Sequence, residues 1–382
     1  MIYLDNSATT PIDPEVSRAM WPYLTEEYGN PSSKYYTLAE NAKKVVEEAR
    51  YHVASLLSCQ SEEIIFTSCA TESNNFVLKG ISHFYKNKGK HIITSKIEHK
   101  SILETCEFLE SEGFEITYLD VDSYGQVQLE TLKNAMREDT ILVSIMWGNN
   151  EIGTLNDIPA LAKYVKENHP QTFFHTDATQ VIGKIDVNLS RVPVDFLSLS
   201  AHKIYGPKGI GACFIRKREL GLRTNITPLL HGGNQENGYR SGTLSVHNIV
   251  GLGKAAEIAK AHLQEHQKKL LDLEHHLVTT LKKIFLNIKF NGHPKEKIPG
   301  VVNFTIPGVS NELIIRYLKD QFAISTGSAC SINEPSYVLG SLGLNPFEIR
   351  SSFRVSLNKY INIDDIDNFC IHLEKAVKSV SI

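Results

Sequence analysis

The sequence of 382 residues contains no Cys-x-x-Cys pair, and its six cysteines (Cys59, Cys69, Cys106, Cys213, Cys330 and Cys370) are scattered. Structural zinc sites and disulfide frameworks are built from closely spaced cysteines, so neither is expected, no metal is expected, and most thiols are expected reduced and buried. No run reaches the ~18 apolar residues that a membrane span needs. The start, Met1-Ile2-Tyr3-Leu4-Asp5, also lacks a basic stretch followed by an apolar one. The expectation is a cytoplasmic protein without direct membrane binding. Blocks of like charge are missing too, since 40 Lys and Arg stand against 43 Asp and Glu for a net charge of −3. Such a balance leaves no basic footprint for nucleic acid, whose involvement is expected only indirectly, through an intermediary. Internal repeats and low-complexity linkers are absent as well.

What the chain does have is length and apolar content. With 42% hydrophobic residues it can bury a large core, and more than one lobe is expected. The stretches 63–67, 91–95, 141–146 and 172–176 read as strands with helix-like segments between them, a pattern that argues for an α/β fold on a mostly parallel sheet. Residues 246–285 read as one long helix bridging two lobes. Beyond it, 300–306, 322–325 and 353–357 read as strands and the last helix starts near Asn362, giving a smaller α+β lobe. The expected organisation is an N-terminal segment, 1–20, packing with the small domain, a large domain over 21–250, and a small C-terminal domain over 251–382.

Parallel sheets present ligands at the carboxyl ends of their strands, so the residues after each strand matter most. Ser200-Ala201-His202-Lys203 follows the apolar run 194–199 and precedes the glycine-rich 206–211. Burial disfavours an ammonium ion, so a lysine at such a strand end suits Schiff-base chemistry, and the natural aldehyde partner is pyridoxal phosphate. Four further clusters sit at strand ends. Thr67 to Asn75 leads into a helix at Phe76 and offers backbone N–H groups and the Thr71 hydroxyl to a phosphate, or a plain N-cap. Glu98-His99-Lys100 places an imidazole there. In Trp147 to Gly153, the paired asparagines either bind a carboxylate or shape a turn. In His175 to Gln180, a carboxylate is placed to hold a pyridine nitrogen protonated, which lets the ring accept electrons.

Together with Asp5-Asn6-Ser7-Ala8-Thr9-Thr10-Pro11, Arg240-Ser241-Gly242-Thr243, Gly327-Ser328-Ala329-Cys330, 334–339 and 353–357, these clusters resemble the cysteine desulfurases of the NifS/IscS type along nearly the whole chain. The resemblance implies fold type I of the pyridoxal-phosphate-dependent transferases. It implies that Lys203 carries the cofactor, Asp177 pairs with the pyridine nitrogen, Gln180 bonds the ring hydroxyl, and His99 stacks on the ring as acid or base. Ala70, Thr71, Ser200 and His202 would hold the phosphate, joined by Thr243 from the neighbouring subunit of a homodimer. Asn150 and Arg354 would hold the substrate carboxylate, the arginine by a bidentate pair. Cys330, in small and polar surroundings, would attack the sulfur of L-cysteine as a thiolate, leaving L-alanine and a persulfide that passes to a sulfur-acceptor protein.

Two departures stand out. Cys69 occupies a position where glycine is usual in the family, so the phosphate turn has to accommodate a side chain. The stretch Ser331–Asn333 is short, and the chain stops at Ile382 soon after its last helix, which together suggest a dedicated acceptor, serving transfer-RNA thiolation or DNA phosphorothioation, in place of general iron-sulfur assembly. A selenocysteine lyase of the same fold and a non-catalytic scaffold in a sulfur-transfer complex are the alternatives. Relative rates on the two amino acids would separate the first, and absence of a yellow cofactor band would favour the second.

Overall fold

The computed structural model describes residues 1–217, 223–327 and 335–380. Its strands are β1 (Ile2–Tyr3), β2 (Ile64–Thr67), β3 (His91–Ser95), β4 (Glu115–Leu119), β5 (Thr140–Ser144) and β6 (Phe173–Asp177). They continue with β7 (Phe196–Ser200), β8 (Gly211–Ile215), β9 (Lys289–Asn291), β10 (Val301–Thr305), β11 (Phe322–Ala323) and β12 (Ser352–Ser356). Seven of them form one sheet in the order β2-β8-β7-β6-β5-β3-β4. β3 to β7 pair in parallel, while β8 runs against both β7 and β2. Because β8 alone is reversed, β2 points the same way as β7, and the carboxyl ends of six strands meet along one edge.

These strands are rich in β-branched and aromatic residues, and helices cover both faces. β2, β3, β5, β6, β7 and β8 are buried throughout, which is why they read as continuous apolar runs and not as alternating ones. β4, at the sheet's edge, is exposed or half-buried along most of its length, so its sequence gives a weaker signal. A second core, including Leu4, Phe304, Phe353 and Phe369, lies over the antiparallel sheet β12-β10-β9. The N-terminus crosses to it: β1 pairs with β11, and the Ser356 carbonyl accepts from Asn6 N and Nδ2.

The helical stretch expected over 246–285 is two helices, Val246–Ala261 and Leu263–Ile284, divided at His262. The physical reason is a change of surroundings. The first helix is buried nearly all round, at Ile249, Leu252, Ala255 and Ala256 among others. The second has a single apolar stripe, Leu270, Leu273, Leu277 and Leu281, the spacing of one helix face. The first packs closely on the helix Thr37–Leu57, where a Cβ on Gly253 would lie 2.5 Å from Cα and Cβ of Ala49. Gly253→Ala should therefore destabilise the protein by about 1–3 kcal/mol through overpacking, despite alanine's better helix propensity. A lowered thermal midpoint checks this; an unchanged one means that the two helices can move apart freely.

Candidate active site

The edge where the strands end opens onto a cavity of about 330 Å³. Ala70, Thr71, His99, Asn150, Asp177, Gln180, Ser200, His202, Lys203 and Arg354 all line it. Thr243 does not; it is exposed on a loop just before the helix Val246–Ala261. Cys330 lies outside the described residues. No described group of His, Cys, Asp and Glu is arranged to hold a metal ion.

At one end, Ser200 Oγ accepts from Ala70 N at 2.7 Å, tying the turn after β7 to the N-terminus of the helix Ala70–Tyr85. Helix N-termini attract phosphate through free N–H groups and the helix dipole. Gly211 makes the approach possible, since a Cβ there would lie 2.5 Å from Leu199 O and 2.9 Å from the Cys69 backbone. The Cys69 side chain is half-buried and lines the cavity, so the turn does accommodate it. Burial and the positive charges of Lys203 and Lys208 push His202 down to about 4, leaving a neutral imidazole whose Nδ1 meets Thr9 Oγ1 at 3.1 Å.

In the middle, Asp177 ends β6. Its Oδ2 accepts from Asn74 Nδ2 at 2.8 Å and its Oδ1 from Thr179 N at 3.0 Å. Asn74 Nδ2 also donates to Ser101 Oγ at 2.9 Å, and Ser101 N donates to His99 Nδ1 at 3.1 Å. A ring nitrogen that accepts from a backbone N–H carries no proton, so the neutral His99 ring bears its hydrogen on Nε2. Burial lowers the His99 pKa and favours that neutral form. Asn74 is thus part of the site although residue reading assigned it no role; its position four residues after Ala70, on the same helix face, was the available signal.

Glu98 is a second residue missed. It is buried, accepts from Ser95 Oγ at 2.6 Å and Met146 N at 2.9 Å, and is pushed up to about 8 chiefly by burial. The paired asparagines divide their work. Asn149 shapes the turn, its Oδ1 accepting from Glu151 N and Ile152 N, while Asn150 faces the cavity.

The N-terminal segment closes the far wall. Lys203 Nζ donates to the carbonyls of Ser7 at 2.5 Å and Ala8 at 2.7 Å, and Gln180 Nε2 donates to Ser7 O at 3.0 Å. Arg354, on β12 and 1% exposed, brings the small sheet into the site. Its Nη1 donates to Asn150 O (3.0 Å) and Gly327 O (2.7 Å), and its Nη2 to Asp5 Oδ1 (2.7 Å). Nε, though buried, has no partner among the described residues. Among the described residues nothing occupies the Nε edge, which is placed to meet a carboxylate.

These features suit pyridoxal phosphate. An amine, a carboxylate and an imidazole face one cavity, phosphate donors stand at one end, and Gln180 Oε1 and Thr179 Oγ1 in its wall are buried without partners among the described residues. Buried polar atoms left unpaired are costly, and a polar ligand relieves that cost. The remaining cysteines are poorly suited to nucleophilic work: burial pushes Cys59 and Cys370 up to about 12 and raises Cys106 and Cys213 as well.

Comparison with known proteins agrees with this geometry. Residues 2–369 match the aminotransferase class-V family. The chain is 45% identical over 383 positions to the cysteine desulfurase IscS of Mannheimia succiniciproducens, covering 99% of this chain and 93% of that one. Among solved structures it is similar to a NifS-like protein, at 37% identity and a TM-score of 0.92 over 99% of both chains. It is also similar to SspA in complex with cysteine, at 35% identity and a TM-score of 0.80, covering 94% of this chain and 99% of that one. The chain thus belongs to the aminotransferase class-V family and, within it, to the pyridoxal-phosphate-dependent cysteine desulfurases.

Proposed function

We propose that this chain removes sulfur from L-cysteine, releases L-alanine, and passes the sulfur on from a persulfide on Cys330. The observation that carries the reading is the meeting of Lys203, Asp177, His99 and the open Nε edge of Arg354 in one cavity. A related protein, SspA, has been solved with cysteine bound.

Lys203 would hold the cofactor through its amine, while Ala70, Thr71, Ser200 and His202 would hold the phosphate and Gln180 the ring hydroxyl. Asp177 would pair with the pyridine nitrogen and favour its protonated form. The bound cofactor supplies an electron sink for the substrate's Cα. Arg354 and Asn150 fix the substrate carboxylate, which decides the Cα bond that faces the sink. His99 and the amine of Lys203 move protons at the substrate. The Cys330 thiolate then bonds to the substrate sulfur as the carbon–sulfur bond breaks; the electron pair of that bond stays with the carbon skeleton, which takes up a proton and leaves as alanine.

The functional unit is a homodimer in which Thr243 reaches the partner's phosphate site. The loop that carries Thr243 is held firmly: Glu236 accepts from Arg50 Nη1 and Nη2 at 2.8 Å and from Phe66 N at 2.7 Å, and Arg240 Nε donates to Glu72 at 2.9 Å. Such a loop presents Thr243 outward with little left to order on binding. The acceptor is a dedicated protein of transfer-RNA thiolation or DNA phosphorothioation, a reading based on the short stretch 331–333. Cytoplasmic placement fits the absence, among the described residues, of any helix long and apolar enough to cross a membrane.

The test is alanine and sulfide release from L-cysteine with reductant, together with the cofactor absorbance, for the natural protein, Cys330→Ala and Cys69→Ala. Loss of alanine in Cys330→Ala alone, with absorbance retained and one added sulfur on the Cys330 peptide of the natural protein, is the expected result. Alanine release that survives in Cys330→Ala and disappears in Cys69→Ala would overturn the assignment.

A further inference from the structure

In the motif Asp5 to Thr10, Asp5 meets Arg354, and the carbonyls of Ser7 and Ala8 meet Lys203. The two threonines meet the turn at His202. Thr10 N and Oγ1 both donate to His202 O, at 2.9 and 3.1 Å, and Thr10 Oγ1 accepts from Tyr205 N at 2.9 Å. Those three bonds fix the backbone of the turn. The Thr9 hydroxyl reaches the side chain instead, with Oγ1 at 3.1 Å from Nδ1 of the His202 imidazole.

His202 lines the active-site cavity and Thr9 does not, so the hydroxyl ties the ring from outside the cavity. Nε2 makes no hydrogen bond with a described residue and is the ring nitrogen left for a ligand. An ionised phosphate oxygen only accepts hydrogen bonds, so a ring nitrogen that holds one must carry hydrogen. Burial and the charges of Lys203 and Lys208 favour the neutral ring. A neutral imidazole has a single N–H, and hydrogen on Nε2 leaves Nδ1 bare. The bare nitrogen accepts, and the Thr9 hydroxyl, which can turn its hydrogen toward it, stands within reach as the donor.

We propose that Thr9 is a positioning residue of the phosphate site: its hydroxyl donates to Nδ1 of His202 and so holds the tautomer whose Nε2–H serves the phosphate. This rests on the reading of His202 as a phosphate ligand. Without the hydroxyl, hydrogen can settle on Nδ1, and the ring then turns a lone pair toward an anion that is itself an acceptor. Serine keeps the donor. Valine has the shape of threonine without it, and leaves the bonds of Thr10 to the turn in place.

The experiment titrates the full chain, freed of cofactor, with pyridoxal phosphate and with pyridoxal, which has the same aldehyde and ring but no phosphate, and follows the visible band. In Thr9→Val the affinity for pyridoxal phosphate should fall about tenfold or more, the worth of a hydrogen bond to a charged group, while that for pyridoxal stays within about threefold. Thr9→Ser should match the natural protein with both. Thr9→Ala takes the place of the valine variant where the latter does not fold. Equal losses for the two ligands mean a merely structural contact and overturn the proposal, as does no loss for either. Nitrogen NMR of the loaded protein with isotopically labelled histidines should show a bare Nδ1 and a protonated Nε2 in His202; hydrogen on Nδ1, alone or together with Nε2, overturns it. If His202→Ala loses no more affinity for pyridoxal phosphate than for pyridoxal, the reading of His202 as a phosphate ligand has failed, and the proposal with it.

Discussion

Asp177→Asn lowers the rate of alanine formation by about 10²- to 10⁴-fold, the range over which a well-placed acid or base acts, while leaving the cofactor bound. The side chain is 6% exposed and nearly isosteric with its replacement, so the strand end keeps its shape. What changes is charge. A carboxylate stabilises a protonated pyridine nitrogen and an amide does not, and without that proton the ring is a poor electron sink. The amide also turns an NH₂ toward either Asn74 Nδ2 or Thr179 N, both of which are donors. Lys203 and the phosphate end are untouched, so the visible band should persist with a shifted maximum. Absorbance spectra and single-turnover rates check the prediction. A fall of less than about tenfold would mean that the nitrogen is protonated by something else.

Arg354→Lys raises KM for L-cysteine by about 10- to 100-fold with a smaller effect on kcat. A hydrogen bond to a charged group is worth about 1.5–3 kcal/mol, and 1.4 kcal/mol is tenfold in affinity. Lysine keeps the positive charge opposite Asp5 but not the planar fork. It cannot serve Asn150 O, Gly327 O and Asp5 in one plane and still offer an edge to a carboxylate. Steady-state kinetics separate the two parameters. An unchanged KM with a collapsed kcat would place the arginine at the reacting atoms and not at the carboxylate.

The strands beneath the site were legible because burial on both faces leaves an apolar run that periodicity rules detect, as in β3, β5, β6 and β7. β4 and β9 were not read as strands: both are largely exposed or half-buried, and β9 has three residues. β8 was hidden by its glycine-rich approach, and its direction belongs to no local pattern. Reversal of β8 nevertheless puts β2, and with it Ala70 and Thr71, on the same edge as Lys203. His99 was placed near a strand end, but it is the N-cap of the helix Lys100–Ser111, and this cap fixes its tautomer.

By itself the sequence determined the chemical inventory of this protein: a lysine among small residues after a buried strand, a carboxylate at the next strand's end, an arginine within an apolar run, and no metal-binding spacing. Residue type and local spacing are enough for that, because ionisable groups in apolar surroundings are rare. Only the tertiary structure decided how the groups are used. It brought Asp5 against Arg354, 349 positions apart, leaving Nε with no partner among the described residues, and it set Ser7 and Ala8 against Lys203. Hydrogen bonds and Coulomb fields depend on distance through space, and the folded chain alone sets those distances.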